Sequence, residues 1–312
     1  MTRKANHYLL DKAKSDKNDE FYTQFIDIEN ELSNYTDCFK NKVVLCNCDD
    51  VKKSNFFKYF VHNFDTLNIK KLICACYNPN GGRGYWYEYS GEGISQPDLN
   101  KINYFEKDGD FRNPENISLL KQSDVVVTNP PFSLFREYVK QLSEYNKKFL
   151  IIGNVNAITY KEVYSLIKEN KAWLGVNLGR GISGFIVPEN YELYGLETTI
   201  NEFGERIVSS NNCMWLTNLK RIKKDNSLLL TKTYKGNEQD YPSYDNFDGI
   251  HVDKTKNIPT DYIGAMGVPI TFLHKYDPEQ FEIIQFRKGN DGKDLKINGK
   301  TPFFRILIRK KH

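Results

Sequence analysis

No apolar run in the chain approaches the ~18 residues of a membrane-spanning helix. The longest are short, such as Phe149-Leu-Ile-Ile152. The opening stretch MTRKANHYLL carries charges but lacks the apolar core of a secretory signal, so a cytoplasmic protein without membrane attachment is expected. Collagen, heptad and solenoid periods are missing, which excludes fibrous and repeat architectures. Cysteine is sparse, with six residues: Cys38, Cys46, Cys48, Cys74, Cys76 and Cys213. The two Cys-x-Cys pairs lack the wider spacing of structural zinc sites. They lie in VVLCNC and LICAC, strand-like runs in which alternate residues share a face. They read as small buried thiols, with no metal and no disulfide framework expected.

Aromatic residues are plentiful: 20 Tyr, 20 Phe and 3 Trp among 312. That supply suits a core and also a protein that stacks on flat ligands. Hydrophobic residues at 39% and charged residues at 27% are ordinary globular usage, which excludes wholesale disorder. The net charge of +4 is unevenly spread. From Lys220 onward 18 Lys and Arg face 12 Asp and Glu, whereas the first 219 residues hold 26 and 28. The C-terminal third is therefore the basic part. Its clusters, including Lys220, Arg221, Lys223 and Lys224, suit either phosphate contacts or a solvated surface.

Short buried strands alternate with helices over the first half. Strands are expected at Lys42–Cys46, Lys71–Cys76, Asp124–Thr128 and KFLIIGNV, with helices at 25–40, SNFFKYFVHNF (capped by Ser54) and LFREYVKQLSEY. Residues 78–98, rich in Gly and Tyr, read as a loop or hairpin. This alternation signals an α/β fold with a mostly parallel sheet covered on both faces. After about residue 175 the helical alternation fades, and the boundary is expected at residue 219. That divides the chain into 1–219 and 220–312, with a final strand at 303–309 that can return to either part.

The strongest chemical signal is DVVVTNPPF, residues 124–132. A buried strand delivers Asn129, Pro130, Pro131 and Phe132 to the carboxyl end of the sheet, where ligands bind in open α/β folds. Neither proline has an N–H, so the carbonyl beside Asn129 is left to accept from a ligand. Two acceptors and a flat ring suit the exocyclic amine of a planar base. Holding both N–H groups biases the nitrogen toward tetrahedral geometry, with its lone pair aimed at an incoming methyl group. A methyl donor then belongs at neighbouring strand ends. Asn47, Asp49 and Asp50 follow the first strand, Tyr77 follows the second, and Asp110 with Phe111 can clamp an adenine. Phe21, Tyr22 and Thr23, before the first helix, can cover the donor from the other side.

These residues resemble the EcoRI-type adenine-specific DNA methyltransferases. The matching blocks include DEFYTQ (19–24), NCDD (47–50), GDFR (109–112), VVTNPPFSLF (126–135), LGRGISGFIVPE (178–189), NNCMWLTNL (211–219) and MGVPITFLHK (266–275). The resemblance implies a Rossmann-like sheet that uses S-adenosylmethionine without a metal, and a C-terminal region that recognises duplex DNA. It implies Phe21, Tyr22, Thr23, Asn47, Asp49, Asp110 and Phe111 at the donor, and Tyr77 and Asn129, at the ends of the second and third strands, are expected there as well. It implies Asn129 to Phe132 at a target adenine flipped out of the helix, with Phe185 as a second aromatic against it. Arg180, Lys220, Arg221, Lys223 and Lys224 are expected at DNA phosphates. GAATTC, methylated at N6 of the inner adenine, is the implied target. A monomer is expected, since each strand can be methylated in a separate event. The sequence departs from the wider superfamily in having no glycine in CNCDDVKKS, after the first strand. Methyl transfer to RNA or to glutamine side chains, and DNA binding without catalysis, remain alternatives.

Overall fold

Two valine-rich tetrapeptides, VVLC and VVVT, lie at the centre of the fold, buried along their whole length. The computed structural model describes residues 22–91, 98–177, 182–187, 198–209, 212–220, 228–287, 294–301 and 304–311. The chain divides into two compact units, Met1–Ala157 with Leu174–Ile222, and Ile158–Trp173 with Lys223–His312.

In the first unit the strands are β1 (Tyr22–Thr23), β2 (Val43–Cys46), β3 (Lys71–Cys76), β4 (Tyr85–Tyr89), β5 (Asn103–Tyr104), β6 (Val125–Thr128), β7 (Lys148–Asn154), β8 (Trp173–Leu174, of which Leu174 belongs to this unit), β9 (Phe185–Ile186), β10 (Thr198–Ile200), β11 (Arg206–Val208) and β12 (Cys213–Thr217). Its helices are α1 (Phe25–Leu32), α2 (Asn55–His62), α3 (Pro114–Gln122) and α4 (Phe135–Glu144). The main sheet has the order β5-β4-β3-β2-β6-β7-β12-β8. Its middle, β3-β2-β6-β7, is parallel, with Val44 opposite Val125 and Val126 opposite Phe149. β4 and β12 flank it antiparallel. Crossover helices bring every parallel strand out with its carboxyl end on the same edge. The result is a mixed α/β architecture.

Local chemistry sets the boundaries. Ser54 caps α2, its hydroxyl accepting from the Phe57 amide at 3.2 Å. α1 is shorter than its apolar spacing suggests, because it tightens into a 3-10 turn at Ser33–Cys38. There the side chains of Ser33 and Asn34 donate to the Asn30 carbonyl at 3.2 and 2.8 Å and compete with the regular ladder. YWYEY within 78–98 forms β4, the antiparallel partner of β3. A smaller sheet, β1-β9-β11-β10, joins the segment before α1 to residues 185–208.

The second unit contains α5 (Lys161–Lys168) and the strands β13 (Ser243–Tyr244), β14 (Phe247–His251), β15 (Met266–Pro269), β16 (Phe281–Arg287) and β17 (Arg305–Lys310). They form one sheet in the order β13-β14-β15-β17-β16. β17, the C-terminal strand, lies between β15 and β16 of this unit. Among the described residues no helix is long and apolar enough to cross a membrane.

Candidate active site

The carboxyl ends of β2, β3 and β6 open into a cavity of about 270 Å³. β1, the start of α2 and the loop before α3 complete its walls. Tyr22, Thr23, Asn47, Asp49, Tyr77, Asp110, Phe111, Asn129 and Pro131, all singled out from the sequence, line this one space. A parallel sheet brings them together because residues that end different strands share one edge.

Asp49 ties the walls together. Its carboxylate accepts from Ser54 at 2.7 Å and from the Thr128 hydroxyl. Those bonds link the end of β2, the cap of α2 and the last residue of β6. Burial pushes the Asp49 carboxyl up to about 6, although the bonds from Thr128 and Ser54 favour its charged form. Asn47 is held in a second network: Tyr138 of α4 donates to its side-chain oxygen, and its amide lies 3.5 Å from Asn116 of α3. Asn116 in turn donates to the Gly109 carbonyl at 2.9 Å. Gly109 has φ +79°, and a Cβ there would meet the Cys76 carbonyl at 2.7 Å. Only glycine lets the Gly109-Asp110-Phe111 turn approach the end of β3 this closely.

Asp110 forms a fork with Arg112, at 2.9 Å to Nε and 2.7 Å to Nη2. Burial raises this carboxyl, but the hydrogen bonds and charge of Arg112 outweigh it and hold it below the ordinary value. The guanidinium carbon of Arg112 also lies 5.5 Å from the Phe111 ring centre. Asp50 and Tyr77 leave polar atoms around the remaining rim, and Tyr77 is exposed.

The NPPF segment divides between two surroundings. Asn129 and Pro131 line the cavity, whereas Pro130 is buried. Phe132 meets Phe185 edge to face, with ring centres 6.1 Å apart and planes at 71°. Phe185 is the register partner of Thr23 across β1 and β9. Three segments distant in sequence therefore converge at one side of the cavity.

Residues 9–311 match the family model described as adenine-specific methyltransferase EcoRI. The chain belongs to this family. It is 61% identical to the type II methyltransferase M.EcoRI of Escherichia coli, an alignment covering all of this chain and 99% of that one. It is 38% identical to the type II methyltransferase M.MgeORF184P of Mycoplasma genitalium, over 96% of this chain and 98% of that one. With M.MpnI of Mycoplasma pneumoniae it shares 37% identity over 98% of each chain. No solved structure gives a significant match. As a member of the EcoRI methyltransferase family, the protein is a type II adenine-specific DNA methyltransferase.

S-adenosylmethionine use follows from this methyltransferase family. The residues present fit it. The cavity offers carboxylates for an ammonium, polar groups for ribose hydroxyls and an aromatic face for a purine. Thr23 lines the cavity, and its buried hydroxyl has no hydrogen-bond partner among the described residues. A ligand atom there would satisfy it. Among the described residues no cluster of His, Cys, Asp and Glu could hold a metal ion.

Several residues around this cavity are not legible in the sequence as site residues. Ser54 was legible as a helix cap, but not as a partner of Asp49. Asn116 and Tyr138 belong to no motif, although an asparagine on the apolar face of PENISLLKQ is itself a signal. The carboxylates of α1, Asp27 and Glu31, carry no motif either. Asp27 accepts from the Ser183 amide at 2.9 Å, and Glu31 accepts from the amides of Val176 and Asn177 at 2.7 and 2.8 Å. They anchor the chain on both sides of LGRG, just before β9 and Phe185. Burial raises both carboxyls above their ordinary values. Lys220 is exposed, and its carbonyl accepts from the Cys38 thiol at 3.3 Å. Phe21, Arg180, Arg221, Lys223 and Lys224 lie outside the described residues.

Proposed function

We propose that this enzyme methylates N6 of the inner adenine of GAATTC in duplex DNA, with the donor in the cavity of a Rossmann-like sheet and the base flipped against the NPPF segment. The observation that carries this reading is the convergence of Asn129 and Pro131 with Asp49, Asp110, Phe111 and Thr23 around one cavity, beside the Phe132–Phe185 pair. When bound, S-adenosylmethionine supplies an electrophilic methyl group on a positively charged sulfur. Asp110 and Phe111 hold its adenine, Asn47, Asp49 and Tyr77 surround its ribose and methionine portion, and Phe21, Tyr22 and Thr23 close over it.

The Asn129 side-chain oxygen and the Pro130 carbonyl each accept one N–H of the target amine. An aromatic amine shares its lone pair with the ring, so two acceptors that bend the nitrogen out of plane make that pair available. No strong base is required before transfer: the N6–methyl bond forms as the sulfur–methyl bond breaks, S-adenosylhomocysteine leaves, and the cationic amine then releases one N–H proton to solvent. Phe132 and Phe185 offer flat faces to the extruded base, which offset an unstacking cost of a few kcal/mol. Arg180, Lys220, Arg221, Lys223 and Lys224 contact phosphates, and residues 220–312 form the target-recognition region.

The test is to incubate plasmid with the protein and S-adenosylmethionine, map the modified bases, and challenge the DNA with a nuclease that cuts GAATTC. Protection with N6-methyladenine at the inner position is expected. Full cleavage, with methylation mapped elsewhere, would remove the assigned sequence. RNA and protein incubated in parallel should take up no methyl group.

Two variants probe the assigned contacts. Phe132→Trp should retain activity because a flat face persists, while Phe132→Ala should lose about 1–3 kcal/mol of base stacking. Equal activities would mean that Phe132 only packs against Phe185. Asp110→Ala should weaken donor binding and leave DNA affinity almost unchanged, as read by titrating each ligand separately. The reverse pattern would remove Asp110 from the donor site.

A further inference from the structure

The second unit carries a groove that the catalytic reading leaves unused. Two 3-10 turns, Thr255–Asn257 and Ile270–Lys275, contribute to a cavity of about 420 Å³. Lys254, Lys256 and Lys275 line it, all three exposed. Among the described residues none of these ammonium groups has a carboxylate within 4.0 Å, whereas Lys71, Lys140 and Lys171 each have one. Asp253 is the single acidic residue in the lining, so the groove carries three positive charges against one negative. Burial holds the His274 imidazole below its ordinary value, which leaves the lysines as the source of positive charge. The hydroxyls of Thr255 and Thr271 share a hydrogen bond of 3.5 Å at the same place, which leaves one O–H of the pair to donate to a ligand. Residues 254–256 and 271–275 are separated in sequence, and only the fold groups them.

We infer that this groove seats backbone phosphates of the DNA substrate, a role that rests on the methyltransferase reading above. Lysine is a compact point charge on a flexible stem, and hydroxyls donate to any phosphate oxygen. Neither distinguishes one base from another. An open trough with unpaired cations suits an extended polyanion lying across it. The groove therefore holds the duplex in register without reading its sequence. Three neutralised phosphates imply three sets of released counterions, so the site contributes a salt-dependent share of affinity.

The experiment uses the full-length protein and a variant combining Lys254→Ala, Lys256→Ala and Lys275→Ala. Duplex affinity is measured by fluorescence anisotropy over a salt series, with one duplex containing GAATTC and one lacking it. The variant should bind both duplexes about tenfold more weakly, and the slope of log affinity against log salt should fall by about 2–3. Donor affinity and turnover at saturating DNA should be unchanged, and Lys→Arg at the same three positions should restore the slope. An unchanged slope, with wild type methylating DNA normally, would overturn this site alone. So would a loss confined to the GAATTC duplex, which would make the groove a base reader. Millimolar inorganic phosphate that binds wild type but not the variant, with DNA affinity equal in the two proteins, would identify a small-anion pocket instead and also overturn it. Failure of wild type to bind or methylate any duplex would overturn the functional reading itself.

Discussion

Replacing Asn129 with alanine should lower turnover by about 10²–10³-fold, or about 2.7–4 kcal/mol, while donor affinity stays within a few-fold. The magnitude is that of removing one preorganised hydrogen-bonding group aimed at a reacting atom. Asn129 follows β6 directly and lines the cavity beside Pro131, so the strand itself holds it in place. Its proposed partner is the target amine, which exists at this site only when DNA is bound. Donor binding therefore has little to lose. Single-turnover methyl transfer and separate donor calorimetry check the two halves of this expectation. Retention of more than about a tenth of wild-type turnover would remove Asn129 from the reaction. A matched loss of donor affinity would make it part of the donor pocket.

Asp49→Ala should have the largest effect on the fold around the site. The substitution leaves the Ser54 and Thr128 hydroxyls without their buried acceptor. At about 1–3 kcal/mol for each of the two unsatisfied groups, a loss of about 2–6 kcal/mol is expected, with donor binding lost alongside it. Chemical denaturation and donor titration measure the two. The pH dependence carries a definite sign. The folded value of Asp49 lies near 6, above its ordinary 3.8. Below pH ~4 the group is neutral in both states and costs nothing. Between pH ~4 and ~6 the unfolded chain loses the proton first, so stability falls as pH rises; above pH ~6 the cost is constant. Asp27 and Glu31 are raised in the same direction. Asp110 is lowered and contributes in the opposite sense, so the expected outcome is a difference: from pH 4 to 6 the stability of wild type should fall relative to that of Asp49→Ala. Parallel curves for the two proteins would contradict the assignment.

The local elements were legible in the residues themselves. VVLC, LICAC and VVVT are short apolar runs bounded by polar residues, the pattern of buried strands, and their alternation with helices implied parallel pairing. The Ser54 cap followed from one hydroxyl at the right position. YWYEY was less decidable, because its alternation admitted a loop or a hairpin until β3 offered an antiparallel partner. The 3-10 tightening after Leu32 depended on whether the Ser33 and Asn34 side chains would turn back to the backbone, a competition that apolar spacing does not register.

The candidate site shows the same division. By itself the sequence determined which residues stand at strand ends, since an apolar run stops where its polar neighbours begin. Tyr77, Asp49 and Asn129 were found in that way. Tertiary structure alone decided what those residues touch. Asp49 meets Ser54 and Thr128, Asn47 meets Tyr138, and Phe132 meets Phe185, across separations of five to ninety-one residues. Sequence periodicity reports only on neighbours within a few turns, because it reflects which face of one element is buried. Which element supplies the opposing atoms is set by strand order and by the packing of crossover helices, and those exist only once the whole sheet has formed.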